Sequence, residues 1–379
     1  MTPRERLQAV LSFEIPDRVP CSPFIQEEYL TFYFGHSCSD RLVDGLKCAK
    51  ELEIDFIAKD NKYCMPHFFK KSRVNWTITA DKKIEKGNYY IIREIETPIK
   101  TLRQVEAGPY IPGSITGMHF STLEYLIKDE SDFAAFKKYM PKMDSEDIGF
   151  ILEGGKTARN ILGCHGISCP WSIGSVYNLV SSVIDVQDMM VDSKCEEDYY
   201  KEYMMFFAGL TAEHNGIMAE SLFDAVGIQG NIANGAMVGN QYFDECILPY
   251  ESIALLPLLD AGKPSIYHNC GCARNLYPSY KKLGITCWET MAKAPLGDNT
   301  IEEAKSYFGD CLVLCGTLDQ VSFLKSASPE EVYIATAEAV RFGKPGGRYI
   351  FAASDYLEAN TPIENVRAMI AAVKAEGFY

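Results

Sequence analysis

Eight short apolar runs recur along the chain, at residues 18–24, 54–59, 161–168, 225–229, 265–270, 285–290, 312–316 and 349–354. Each ends in a polar or glycine-rich edge and is followed by helical periodicity. Runs of this length, alternating with helical segments, read as parallel strands joined by crossover helices. Eight such units predict an α/β chain folded as a (β/α)8 TIM barrel. An open doubly wound sheet is the alternative, but no Gly-x-Gly-x-x-Gly follows the first strand.

One segment breaks the repeat. About a hundred residues separate the second and third runs, and a structureless loop of that length is rare inside a compact domain. Residues 74–78 and 89–95 read as strands joined by the polar turn Lys86-Gly87-Asn88, and residues 123–139 read as a helix. The expectation is a single barrel domain over 1–379, with a β-containing insertion between strands 2 and 3. Residues 61–157 would form that insertion, a rim element or lid. Helix starts are marked at Thr2-Pro3-Arg4-Glu5, Ser328-Pro329-Glu330-Glu331 and Thr361-Pro362-Ile363-Glu364, and more loosely at Thr300. These are structural signals without chemistry.

The barrel rule turns the strand ends into candidates, because such folds carry their active sites at the C-terminal ends of the strands. Strand five ends in His268-Asn269-Cys270-Gly271-Cys272. In extended chain, residues i and i+2 share a face, so His268 and Cys270 project together. Imidazole and thiolate are both zinc ligands, and a catalytic zinc takes about three of them with one position left open. Cys315, at the end of strand seven, would supply a second sulfur. It follows Leu312-Val313-Leu314 and fits core packing equally well. Glu289, at the end of strand six, competes as third ligand or acts as a base beside the metal. Gln229 and Asn231, at the end of strand four, complete the catalytic candidates. Asp60, Asp244 and Asp355 read more simply as helix caps or rim residues. Phe24, Trp171, Tyr267 and Tyr356 lie near strand ends and could line an apolar pocket for an aromatic substrate. Ordinary barrel packing explains aromatic residues in such places as well.

Composition excludes other classes. A net charge of −14 without any Lys/Arg cluster argues against a nucleic-acid partner. The N-terminus has no apolar signal core, and no apolar run is long enough to span a bilayer, so the expectation is no membrane association and a cytoplasmic location. The thirteen cysteines are odd in number and read as reduced thiols. Neither a Gly-x-Ser-x-Gly elbow nor a P-loop is present.

Several motifs carry a family resemblance. Met1-Thr2-Pro3-Arg4-Glu5-Arg6 through Pro16-Asp17-Arg18-Val19-Pro20 resembles the opening of the uroporphyrinogen decarboxylase superfamily, and more narrowly its corrinoid-dependent methyltransferase branch. His268-Asn269-Cys270-Gly271 matches that branch's His-x-Cys-Gly. Cys315-Gly316-Thr317-Leu318-Asp319 sits at the family's Gly-Asn strand end, and Asn360 to Asn365 matches its last helix start. The resemblance runs nearly end to end, least securely over 60–157. It implies a (β/α)8 barrel and zinc-assisted methyl transfer from a small-molecule methyl donor to the cobalt of a separate corrinoid protein. The cofactors implied are therefore Zn2+ and a cobalamin-type corrinoid supplied by the partner. A homodimer is left open.

Two departures narrow the substrate. The decarboxylases hold porphyrinogen carboxylates with an arginine-rich segment after the first strand, whereas this chain has Pro23-Phe24-Ile25-Gln26-Glu27-Glu28. The methylthiol and methanol-type enzymes take a third zinc ligand from a cysteine near the last strand, whereas this chain has Phe351-Ala352-Ala353-Ser354-Asp355. Aryl methyl ether demethylases vary their zinc ligands most within the branch, so an aryl methyl ether is the favoured donor. The competing class is a decarboxylase-like lyase, with Lys59 and Arg274 as its only nearby carboxylate binders. A corrinoid-binding protein is a third class, but an Asp-x-His-x-x-Gly segment is lacking.

Overall fold

The computed structural model describes residues 1–110 and 120–379. In chain order, β1 (Phe56–Ala58) is followed by four strands, β2 (Thr77–Glu85), β3 (Asn88–Glu96), β4 (Thr101–Pro109) and β5 (Ser121–Glu124). These four pair antiparallel in the order β2-β3-β4-β5. Then come β6 (Gly166–Ser168), β7 (Val226–Gln229), β8 (Ser265–His268), β9 (Cys287–Met291), β10 (Val313–Leu318) and β11 (Tyr349–Ala353). β1 pairs parallel with β6, and β7 to β11 form a five-stranded parallel sheet in sequential order. Helices fill the intervals, as parallel connections require.

Further backbone contacts link these two parallel sheets. Asp55 N–H donates to the Cys21 carbonyl at 2.8 Å, and Cys21 bridges parallel to Phe351. On the other side, Ala225 N–H donates to the Ser168 carbonyl at 3.0 Å, and Trp171 bridges parallel to Gly227. The first apolar run thus lies between β1 and β11 without becoming a regular strand. Pro20 and Pro23 have no N–H to give a ladder.

The strands alternate between two cores. Ile266, Cys287, Val313, Cys315, Ile350 and Ala352 face one buried cluster, against which the first helix (Pro3–Leu11) packs Leu7, Val10 and Leu11. Tyr267, Trp288, Leu314 and Phe351 face the larger cluster shared with the helices. This period of two decides which side chains reach the strand-end site.

Several expectations require correction. The helix expected over 123–139 starts only at Glu130 and ends at Tyr139, because residues 121–124 pair with β4. The run at 161–168 loses its first residues to the helix Ser145–Leu162, leaving a three-residue strand. Thr2 and Ser328 close capping boxes and Thr300 caps with its side chain. Thr361 does not cap: the N-cap position of the last helix is Pro362, and the Thr361 hydroxyl donates to the Glu358 carbonyl at 2.8 Å. Among the described residues no helix is long and apolar enough to cross a membrane.

Candidate metal centre

His268 is the last residue of β8, and its backbone is held from both sides. Its carbonyl accepts from Gly230 N–H at 2.9 Å, and Asn269 N–H donates to the Glu289 carbonyl at 2.7 Å. Its side chain shares the inward face with Ile266, so the imidazole stands at the strand's C-terminal end. Cys270 follows in the loop. Asp355 follows β11, where Ser354 N–H is anchored on the Leu318 carbonyl at 2.7 Å. One ligand atom each from His268, Cys270 and Asp355 lie within 4.8 Å of one another. An imidazole, a thiol and a carboxylate supply three zinc ligand types and leave a fourth position for substrate. Tetrahedral zinc places its ligand atoms ~3.3–3.8 Å apart, so closure needs a contraction of about 1 Å. The donor set fits the ion.

The other nitrogen of the ring is occupied. His268 Nδ1 lies 3.2 Å from Glu289 Oε1, which leaves Nε2 toward Asp355, 4.0 Å away. A carboxylate on the second nitrogen of a metal-bound histidine fixes its tautomer and orientation. Glu289 is in turn ion-paired with Lys59 through the same oxygen, and both side chains are buried. Burial works to raise the Glu289 pKa, but the Lys59 ammonium and His268 outweigh it and hold the carboxyl down at about 2. Burial works against a charged His268, yet the Cys270 thiol and the Glu289 and Asp355 carboxylates lift it to about 10. The cluster therefore favours positive charge between these acceptors, and an ion that binds there must displace the imidazole proton.

Aromatic rings enclose this centre. Trp171 stands edge-on to His268 with centroids 5.5 Å apart, and Phe24 lies 6.5 Å from the imidazole, 6.1 Å from Trp171 and 6.3 Å from Tyr356. The Lys59 ammonium sits 4.3 Å from the Trp171 ring centroid.

Of the residues singled out from the sequence, His268, Cys270, Glu289, Phe24, Trp171 and Tyr356 are brought together. Four lie elsewhere or are engaged with other partners. Cys315 is buried in the inner core with Val313 and Cys287, where desolvation drives its thiol pKa far up; the metal-type cluster contains Asp355 instead. Tyr267 alternates to the outer face and packs on Tyr280 at 5.6 Å, because neighbours on a strand point to opposite sides. Asn231 is tied to Asn178, whose amide donates to it at 2.9 Å. Gln229 pairs through its backbone with His268. Asp355 and Lys59 carry more of the site than their sequence context suggests. Both stand just past strand ends, Lys59 after β1 and Asp355 after β11, and only the folded chain brings Lys59 to Glu289 and Asp355 to His268.

An α/β scaffold with a metal-type cluster at the C-terminal ends of parallel strands defines the class of protein. The uroporphyrinogen decarboxylase (URO-D) profile matches residues 117–376, and the chain belongs to that family. Over 143 residues it is 26% identical to a methylated-thiol–coenzyme M methyltransferase of Methanosarcina mazei, a match covering 38% of this chain and only 35% of that protein. Over 258 residues it is 21% identical to a methylcobamide:CoM methyltransferase of the same organism, covering 67% of this chain and 71% of the relative. The curated relatives it resembles are thus methyltransferases. Among solved structures it is similar to a methyltransferase from Methanosarcina mazei, with a TM-score of 0.67 at 15% identity over 99% of both chains; that likeness concerns the fold.

Proposed function

We propose that the chain is a zinc-dependent methyltransferase that moves a methyl group from a small methylated donor, best an aryl methyl ether, to the cobalt of a corrinoid carried on a separate protein. The observation that carries this reading is the cluster of His268, Cys270 and Asp355 inside a wall of Phe24, Trp171 and Tyr356. The family and the methyltransferase names of the curated relatives support it.

His268 through Nε2, Cys270 through Sγ and Asp355 through a carboxylate oxygen would hold the ion. Bound there, zinc supplies Lewis-acid polarisation of the heteroatom that leaves the methyl group. Glu289 holds the Nδ1 side of His268, and Lys59 holds Glu289. Phe24, Trp171 and Tyr356 pack on the donor's ring and keep water from the reacting bond. Gln229, which ends β7 level with His268, is a positioning residue for the donor in this reading, and Asn231, held by Asn178, fixes the loop that follows it.

The pairings from Cys21 round to Phe351 support closure into one eight-stranded barrel over 1–379, with 61–157 as a rim insertion that acts as lid or docking surface. Thirteen free cysteines support a reducing compartment, the cytoplasm. A homodimer is compatible with this arrangement. The test is a methyl-transfer assay with methoxyaromatics, methylamines and methanol, using a reduced corrinoid protein and following the cobalt spectrum. A spectral change with methoxyaromatics is expected. No change with any donor refutes the reading and favours the lyase class.

A further inference from the structure

The arginines of this chain that sit deepest are paired. Arg4 meets Asp224, Arg6 meets Asp17 and Asp55, Arg18 meets Asp55, and Arg73 meets Asp144 and Asp147. Arg41 departs from this pattern. It is partly buried at the first position of the helix Arg41–Leu52, and its Nε and Nη2 are closed off from solvent without a hydrogen-bond partner. Among the described residues no carboxylate lies within ion-pair distance of it; Glu27, Asp60 and Glu28 act on it only through space. Two donor nitrogens that give up water and gain no acceptor are costly, even where carboxylates act on the charge from a distance.

The position of Arg41 gives the cost a use. Its guanidinium carbon lies 5.7 Å from the centroid of Phe24, the ring whose neighbours are His268, Trp171 and Tyr356. Phe24 is thus shared between the metal-type cluster and an unpaired cation. We infer that Arg41 is a specificity residue that takes an anionic group of the carboxylate class on the methyl donor, while the donor's ring lies along Phe24 and its methyl-bearing atom faces His268, Cys270 and Asp355. The inference rests on the proposed methyl-transfer reading of that site. The planar five-donor fork of arginine suits an oxyanion with two coplanar acceptors, which a lysine would bind less selectively. The same fork accepts a phosphodiester of the partner's corrinoid, so the two sources must be separated by experiment.

The experiment measures binding of 3-methoxybenzoate and of neutral 3-methoxyphenol to the zinc-loaded protein by calorimetry without any corrinoid protein, then methyl transfer from each with the corrinoid protein titrated. Wild type, Arg41→Gln and Arg41→Lys are compared. Arg41→Gln should weaken methoxybenzoate binding about 10- to 100-fold, the range of one lost charge-assisted pair. It should leave methoxyphenol binding and the KM for corrinoid protein unchanged, and Arg41→Lys should recover part of the loss. Equal loss for both ligands, or no preference of the wild type for the acid, overturns the inference. A rise confined to the KM for corrinoid protein assigns Arg41 to the corrinoid phosphate and also overturns it. Tight methoxybenzoate binding that depends on Arg41 without methyl transfer leaves the anion site standing and refutes the methyl-transfer reading instead. A thermal melt of each variant accompanies the titrations, and a loss that tracks a lowered Tm for both ligands counts against the inference.

Discussion

Replacing Lys59 with methionine isolates what the buried ion pair contributes. The side chains of Lys59 and Glu289 are 2% and 4% exposed, so neither charge can recover solvent when the other leaves. Removing one partner of such a pair costs about 3–5 kcal/mol, because an uncompensated charge stays behind. Glu289 keeps one further partner, His268 Nδ1 at 3.2 Å, which places the expected loss near the lower end, about 3 kcal/mol. Lys59→Met combined with Glu289→Gln removes both charges and should recover most of the loss. The coupling between the two sites should therefore be about 2 kcal/mol or more and insensitive to salt, unlike that of an exposed pair. The assay is urea unfolding followed by tryptophan fluorescence at low and high ionic strength. A loss under about 1 kcal/mol for Lys59→Met, or strict additivity with Glu289→Gln, refutes the claim that this pair is desolvated and holds Glu289 in place.

Other expectations follow from separate parts of the molecule. Glu251 is fully buried, and although the N–H groups of Val176 and Tyr177 bond to it, desolvation dominates and lifts its pKa to about 7. The native state then holds a proton that the unfolded chain has released, so this group's stability is full below about pH 4.5 and is lost as pH rises through about 7. The loss is on the order of 3 kcal/mol, and Glu251→Gln should flatten the profile of Tm between pH 5 and 8. Ser328→Ala should cost about 1 kcal/mol through a lost cap, whereas Thr361→Ala should cost less than about half of that by chemical denaturation. Phe24→Ala should raise the KM for a methoxyaromatic donor more than it changes zinc content, read by steady-state kinetics and metal analysis on the same preparation.

The eight-unit rhythm of the fold was legible because a parallel strand buried on both faces must be apolar throughout, and seven of the eight runs overlap assigned strands. Boundaries were less so. Ile161 and Leu162 read as strand because they are apolar, but both belong to the last turn of a helix that Gly163 ends, with Leu162 on its buried face and Ile161 turned to solvent. The His-x-Cys pair was legible because two ligand types two residues apart on extended chain share a face. The third member was not. Asp355 and Cys315 are forty residues apart, and either stands near a strand end in the sequence. Which one reaches His268 depends on depth along the strand: Cys315 lies level with Ile350 in the ladder, below the rim, whereas Asp355 follows the last strand residue. Tyr267 shows the same limit in simpler form, since proximity to His268 in sequence puts it on the opposite face.

The central claim is that His268, Cys270 and Asp355 hold a zinc ion. Metal content of purified wild type, His268→Ala/Cys270→Ala, Asp355→Ala and Cys315→Ala, measured by mass spectrometry after dialysis against a weak chelator, tests it directly. The account predicts stoichiometric zinc in the wild type and in Cys315→Ala, and loss of zinc from the other two. Zinc retained in the double variant, or lost from Cys315→Ala while Asp355→Ala keeps it, would contradict it.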